Sequence, residues 1–245
     1  MVPSIQPFFA IFLTIVVALP SDLAAQGNIG KGCALVVTNR VASVIAERLA
    51  AAGFRRGALV FVRIFKKEGE LEIWLERRNG QFSLFKAYKI CNFSGELGPK
   101  QKEGDDQSPE GFYFVTLASL NSWSRYHLSF NLGYPNRYDR LHARTGSALM
   151  VHGDCVSIGC YPMGETEIEE IYTIVEAALR GGQPFFRVHA FPFRMTEANM
   201  SNHAVSVWKD FWLNLKQGYD HFETLRRPPN VNVDLKRKLS TFEPS

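Results

Sequence analysis

The chain is poor in cysteine, nearly balanced in charge and short of long apolar runs, and each shortage excludes something. Four cysteines in 245 residues (Cys33, Cys91, Cys155 and Cys160) are too few for a disulfide scaffold. A formal net charge of +4 suits solubility and some attraction to a polyanion, but it is not the footprint of a nucleic-acid binder. The apolar run "PFFAIFLTIVVALP", from Pro7 to Pro20, falls short of the ~20 residues that a bilayer-spanning helix needs. No internal repeat stands out, and no glycine-rich stretch is followed by the lysine of a phosphate cradle.

That short run reads better as a secretory signal than as a membrane span. It leads into "SDLAAQG", where Ala25, with Leu23 two residues before it, offers a signal-peptidase site. The basic start of such a signal is missing, because the first six residues hold no Lys or Arg, and an uncleaved anchor is the alternative. A lipoprotein signal does not fit, since Cys33 lies well past the run. The expectation is a signal peptide over residues 1–25 and a periplasmic protein without an integral membrane span in its mature form. In an oxidising compartment every remaining cysteine must be paired, buried or working.

Three blocks follow. In "TNRVASVIAERLAAAGF", Thr38 offers a cap and Val41, Val44, Ile45 and Leu49 recur at helical spacing up to Gly53, which makes 26–57 a helical extension. From Ala58 the pattern turns to strands: "LVFVRIFK" alternates, "LEIWLER" and "FSLFKAYKI" flank Asn79-Gly80, and "GFYFVT", "YHLSFNL" and "SALMVHG" follow. Asn79-Gly80 predicts a type I′ hairpin with both residues at positive φ. A polar connection from Ser94 to Gly111 is too long for a tight turn and is either a binding loop or a solvated excursion. In "GETEIEEIYTIVEAALRGG", Thr166 and Glu169 form a capping box, and Ile168, Ile171, Tyr172, Val175, Ala178 and Leu179 form one apolar face ended by Gly181-Gly182. "QPFFRVHAF" is a further strand, with His189 packed rather than reactive. The segment from Met195 is helical to the prolines at 228 and 229, with Trp208 and Trp212 as a packing stripe, and a charged tail ends the chain. The architecture is α+β, a mostly antiparallel sheet region with helices at both ends.

Between the last of the middle strands and the capped helix lies "MVHGDCVSIGCYPM", residues 150–163, a loop crowded with reactive groups. As a zinc site, His152, Cys155 and Cys160 lack a recognisable fourth ligand. A Cys155–Cys160 disulfide would close only a small loop and stabilise modestly. A nucleophile site uses more of the residues: a Cys160 thiol needs a base, and His152 supplies one. Gly159 permits the sharp turn that aims amide N–H groups at a developing oxyanion, with Ser157 holding that turn.

"MVHG" followed by "SIGC", with "SPEGFY" (108–113) upstream, resembles the L,D-transpeptidase (YkuD-like) catalytic domain, and within it the exported, YafK-type branch of murein L,D-transpeptidases. "VFVRIFKKEGELEIWL", "LSFNLGYPNRYDR" and "FFRVHAFPFRM" extend the likeness over 58–200, leaving 201–245 as a C-terminal helical extension and tail. The resemblance implies a β-sandwich-like catalytic fold, Cys160 as nucleophile, His152 as general base, and the Gly153 carbonyl orienting the imidazole. Ser157, Gly159 and the Cys160 amide would shape the oxyanion site. Where the family usually carries a second histidine, two residues before the cysteine, this chain has Ile158.

The implied substrates are peptidoglycan stem peptides, taken through a thioester without metal or cofactor. The expected outcome is hydrolysis of the diaminopimelate–lysine link to murein lipoprotein. The alternatives are L,D-transpeptidation, which forms cross-links or attaches the lipoprotein, and a non-catalytic wall-binding module. Arg144 and Arg194 are the leading candidates for binding substrate carboxylates, ahead of Arg137, Arg140 and Arg187. Cys91 and Cys155 are either a supporting disulfide or two buried thiols.

Overall fold

The computed structural model describes residues 39–244, together with Met1 and Val37; the expected signal peptide, Cys33 and the Thr38 cap lie outside the described residues. Helix α1 covers 39–51 and buries Ile45 and Leu49, as their helical spacing requires. Strands β1 (Val60–Phe65), β2 (Glu70–Glu76), β3 (Phe82–Lys89) and β4 (Gly111–Val115) follow, then a 3-10 turn and β5 (Leu120–Ser124) and β6 (His127–Asn131). After α2 (Arg137–Leu141) come β7 (Met150–His152) and β8 (Tyr161–Pro162). The chain continues through α3 (Glu165–Arg180), β9 (Phe186–Phe191), α4 (Glu197–Asn202) and α5 (Lys209–Leu225) to β10 (Asn230–Asp234) and β11 (Leu239–Glu243).

Two sheets build the body. One has the order β3-β2-β1-β9-β4 and is antiparallel except between β1 and β9. The other has the order β5-β6-β7-β8 and is antiparallel except between β7 and β8. Val62, Ile64, Ile73 and Val188 from the first sheet share one core with Phe130 and Val151 from the second. The apolar face of α3 (Ile168, Ile171, Tyr172, Val175, Ala178 and Leu179) is buried in that same core. Each buried Val, Ile or Leu among them contributes roughly 1.5–3 kcal/mol on full burial. The fold class is α+β, and among the described residues no helix is long and apolar enough to cross a membrane.

The opposite face of the five-stranded sheet is covered as well. Phe65, Phe112 and Phe191 pack against Phe211, Trp212, Leu215 and Tyr219 of α5. This is why all six residues of β1 are buried, Arg63 included. Arg63 faces α5, where its guanidinium meets Glu72 at 2.9 Å and Glu223 at 2.6 Å.

Several local expectations are corrected. Only Gly80 of the Asn79-Gly80 pair takes a positive φ (76°), because the β2–β3 connection is longer than a two-residue type I′ turn and closes with Arg77 N–H to Gln81 O. Helix α3 starts at Glu165 with Gly164 as its N-cap, so Thr166 lies inside the first turn, where Glu165 and Glu167 favour the helix dipole instead. The late helical segment is two helices, with the chain irregular between Asn202 and Lys209. The charged tail is a β10–β11 hairpin, held to α5 by Asn214, which bonds both the N–H and the carbonyl of Ser240.

Candidate active site

Parallel pairing of β7 with β8 builds the site. Val151 lies opposite Tyr161 and His152 opposite Pro162, so the loop 153–160 leaves the end of β7 and returns beside it. Cys160, the last residue of that loop, therefore comes back next to the strand that carries His152, despite their short separation in sequence. Both open into one cleft of about 550 Å³. Its walls are Lys100, Glu103 and Asp106 from the long polar connection, Tyr126 from the β5–β6 turn, Ala148, Leu149 and Met150 leading into β7, and Val156 and Ile158.

The imidazole is held on two sides. His152 Nδ1 donates to the carbonyl of Gly153, which leaves Nε2 as the free nitrogen. The Tyr126 ring lies against the imidazole with centroids 4.7 Å apart. Burial pulls the His152 pKa below its ordinary value, although the Gly153 bond and the Asp154 charge oppose this. The Cys160 sulfur accepts the Met150 N–H at 3.4 Å, and its thiol points at the Ala148 carbonyl, 3.7 Å away. Burial pushes the Cys160 thiol up, while the Met150 N–H and the Lys100 charge pull it back in part.

A free thiol and a buried imidazole thus share one cleft. No family model matches the chain. Over 177 residues it is 51% identical to "Putative L,D-transpeptidase YafK" of Escherichia coli strain K12, covering 72% of each chain. The protein of the same name from Escherichia coli O157:H7 matches equally. The chain belongs to the L,D-transpeptidase family. Solved structures resemble it more distantly. A point mutant of the helical cell shape determining protein Pgp2 from Campylobacter jejuni is 17% identical, with 72% of this chain and 71% of that one covered and a TM-score of 0.46. Bd1075 of Bdellovibrio bacteriovorus is 18% identical, with 73% and 82% covered and a TM-score of 0.41.

In this member of the L,D-transpeptidase family the turn before the thiol is braced by serines. Ser157 Oγ donates to the Cys160 carbonyl at 2.8 Å and accepts the Gly159 N–H at 3.1 Å and the Ser94 hydroxyl at 2.8 Å. Ser108 Oγ donates to the same Cys160 carbonyl at 3.1 Å. Gly159 has φ of +128°, and a Cβ there would stand 3.3 Å from Leu149, so the position demands glycine. The Gly159 N–H is thus already engaged with Ser157, whereas the Cys160 N–H makes no hydrogen bond among the described residues.

Cys91 and Cys155 form a disulfide that ties the loop to the end of β3, with Cα atoms 5.3 Å apart. This rules out the Cys155–Cys160 pairing, removes Cys155 from the zinc reading and leaves Cys160 as a free thiol. Ile158, standing where the family has its second histidine, is 78% exposed at the cleft rim.

The two arginines expected to hold substrate are elsewhere. Arg144 is buried, its guanidinium 2.9 Å from Asp139 and lying over the rings of Tyr138 and Phe211. Arg194 bridges Glu70 at 2.7 Å and Glu72 at 2.8 Å. Neither lines the cleft: Arg144 is held by Asp139, five residues before it, and Arg194 by two carboxylates of β2. Lys100 and Tyr126 do line it. Lys100's position in the long polar connection was the only sequence signal for it, and Tyr126 had none.

Proposed function

We propose that the chain is an exported cysteine acyl-transfer enzyme acting on peptidoglycan stem peptides, and that it hydrolyses the amide between diaminopimelate and the terminal lysine of murein lipoprotein. The observation that carries this reading is the single cleft shared by Cys160 and His152, with the imidazole's Nδ1 committed to Gly153 and Nε2 free. In the first step Nε2 takes the thiol proton as sulfur attacks the amide carbon. The C–S bond forms, the C–N bond breaks, and His152 passes the proton to the departing lysine amine. Water, deprotonated by the same nitrogen, then attacks the thioester. It releases a free diaminopimelate carboxyl and restores the thiol. The unengaged Cys160 N–H is the donor available to the oxyanion in both steps.

Transpeptidation differs only in that an amine, not water, resolves the thioester. Ile158 favours hydrolysis, because the oxyanion donor or proton carrier that the family's second histidine supplies for cross-linking is missing here. The test is mass spectrometry of lipoprotein-linked peptidoglycan fragments incubated with the wild type and with Cys160→Ala. Fragments with free diaminopimelate, absent with the variant, support hydrolysis. New amine-exchanged or cross-linked fragments mean transpeptidation. Identical, unchanged fragments in both reactions would leave a wall-binding module.

A further inference from the structure

Tyr126 reaches His152 from a turn whose backbone is held in an uncommon conformation. Ser124 and His127 pair across β5 and β6, so Arg125 and Tyr126 form the tip of that hairpin. His127 then takes φ of +66°, a left-handed conformation that such a turn gives most readily to glycine. Helix α3 keeps a histidine there. The His127 Nε2 lies 2.9 Å from one carboxylate oxygen of Glu169, and the other oxygen takes the Arg40 guanidinium of α1 at 2.7 Å. The turn is seated directly on the residue that holds the imidazole. A Cβ on Gly153 would stand 2.9 Å from the Tyr126 carbonyl oxygen and 3.2 Å from His127 Cβ, so glycine admits this close approach. The Gly153 N–H donates to the Leu128 carbonyl at 3.0 Å, while its own carbonyl takes His152 Nδ1. On the cleft side the Tyr126 ring leans on the imidazole, with centroids 4.7 Å apart and planes at 35°.

We propose that Tyr126 is the positioning residue of the base: its ring holds the His152 imidazole so that Nε2 stays turned into the cleft shared with Cys160, and the His127–Glu169 contact holds Tyr126 in place. The proposal rests on His152 being the base. A single hydrogen bond at Nδ1 fixes the tautomer but lets the ring swing about that point. An aromatic face against the imidazole is the second restraint, and it keeps water from that side of the ring. Tyr126 acts through the imidazole and moves no proton itself. The ring therefore matters and the hydroxyl does not.

The experiment titrates the His152 imidazole by NMR in the full chain, its signal assigned by its loss in His152→Gln, for the wild type, Tyr126→Ala and Tyr126→Phe. Burial holds the His152 pKa below its ordinary value, so water admitted by Tyr126→Ala should raise the midpoint, by about half a unit. Tyr126→Phe, which keeps the ring, should restore the wild-type midpoint. The other charged and titratable groups near the imidazole are Cys160, Lys100, Glu103 and Asp106 in the cleft, Asp154 beside it and the His127–Glu169 pair behind the turn. They are the same in all three proteins and cancel in the comparison. Turnover of lipoprotein-linked fragments should split in the same way: with Tyr126→Ala kcat falls roughly ten- to hundredfold at little change in KM, and Tyr126→Phe rescues it. A melting curve checks that each variant folds, and Tyr126→Leu replaces alanine if the hairpin opens. An unmoved midpoint in Tyr126→Ala, or a phenylalanine variant that behaves like the alanine one, would overturn the proposal. So would a raised KM at unchanged kcat, which would make Tyr126 a substrate contact. The titration needs no substrate, so a wild type that releases no diaminopimelate would sink the proposed reaction and leave this result readable.

Discussion

Burial pushes the Cys160 thiol up and the His152 imidazole down, so in the resting site the proton sits on sulfur and the base is neutral. The thiolate then forms only as Nε2 takes the proton during attack, unlike a pair that rests as thiolate and imidazolium. The signs set the pH profile. Activity needs neutral His152, which holds above a pKa lying below the ordinary imidazole value, and a protonated thiol, which holds below a pKa lying above the ordinary thiol value. The rate profile should be a broad plateau between those limits, and iodoacetamide alkylation should stay slow across it and climb only on the alkaline limb. Fast, flat alkylation from pH 5 upward would show a preformed ion pair and defeat this account. Gly159→Ala probes the turn itself. At φ of +128° an alanine is strained by roughly 1–3 kcal/mol and presses on Leu149. Turnover should collapse while the melting temperature falls only modestly; near-wild-type turnover would mean that the turn tolerates a side chain.

Among the elements, the connection between β3 and β4 depends on one buried lysine. Lys66, fully buried at the end of β1, donates to the carbonyls of Glu96 at 2.7 Å, Gly98 at 3.0 Å and Ser108 at 3.1 Å. It also meets Glu110 at 3.1 Å, which in turn accepts the Gly98 N–H and the Trp212 indole N–H. Through this cluster α5 holds in place the segment that carries Lys100 and that braces Cys160 through Ser108. Lys66→Met leaves Glu110 buried without its cation, a loss of about 3–5 kcal/mol. Trypsin should then cut at Lys100 or Lys102 before the rest of the fold opens, and resistance equal to wild type would rule the clamp out. Little of this was legible in the sequence. Arg63 shares its face of β1 with Phe61 and Phe65, the face that α5 covers as a second core, and no local pattern announces that cover. The apolar face of α3 and the Cys160–His152 stretch were legible because helical period and motif spacing are local properties. The partners of Arg194 were not, since an ion pair across distant elements leaves no trace in spacing.

On the scale of the whole molecule, the double-sided sheet buries a histidine that has no hydrogen-bond partner among the described residues. His189 sits on β9 directly between Arg63 on β1 and Phe112 on β4, and both ring nitrogens are left unbonded there. The rings of Phe61 and Phe112 meet it edge-on, with centroids at 4.7 and 4.6 Å. Burial first, then the charges of Arg187, Arg63 and His221, hold its pKa well below the ordinary value. The native state therefore keeps His189 neutral as pH falls, while the unfolded chain takes up a proton near the ordinary imidazole pKa of about 6.5. Above that pH the residue makes no pH-dependent contribution. Below it, stability falls by up to about 1.4 kcal/mol per pH unit on its account. His189→Phe fills the same space with a ring that has no nitrogen to leave unpaired. The variant should match or slightly exceed the wild type at pH 7.5 and gain over it progressively from pH 6.5 to 5, as read from urea unfolding midpoints. His152, His203 and His221, whose pKa values are also lowered, contribute equally to both chains and cancel in the difference. A difference that stays constant over this range would mean that His189 is protonated in the native fold, with an anion or water brought in to meet it.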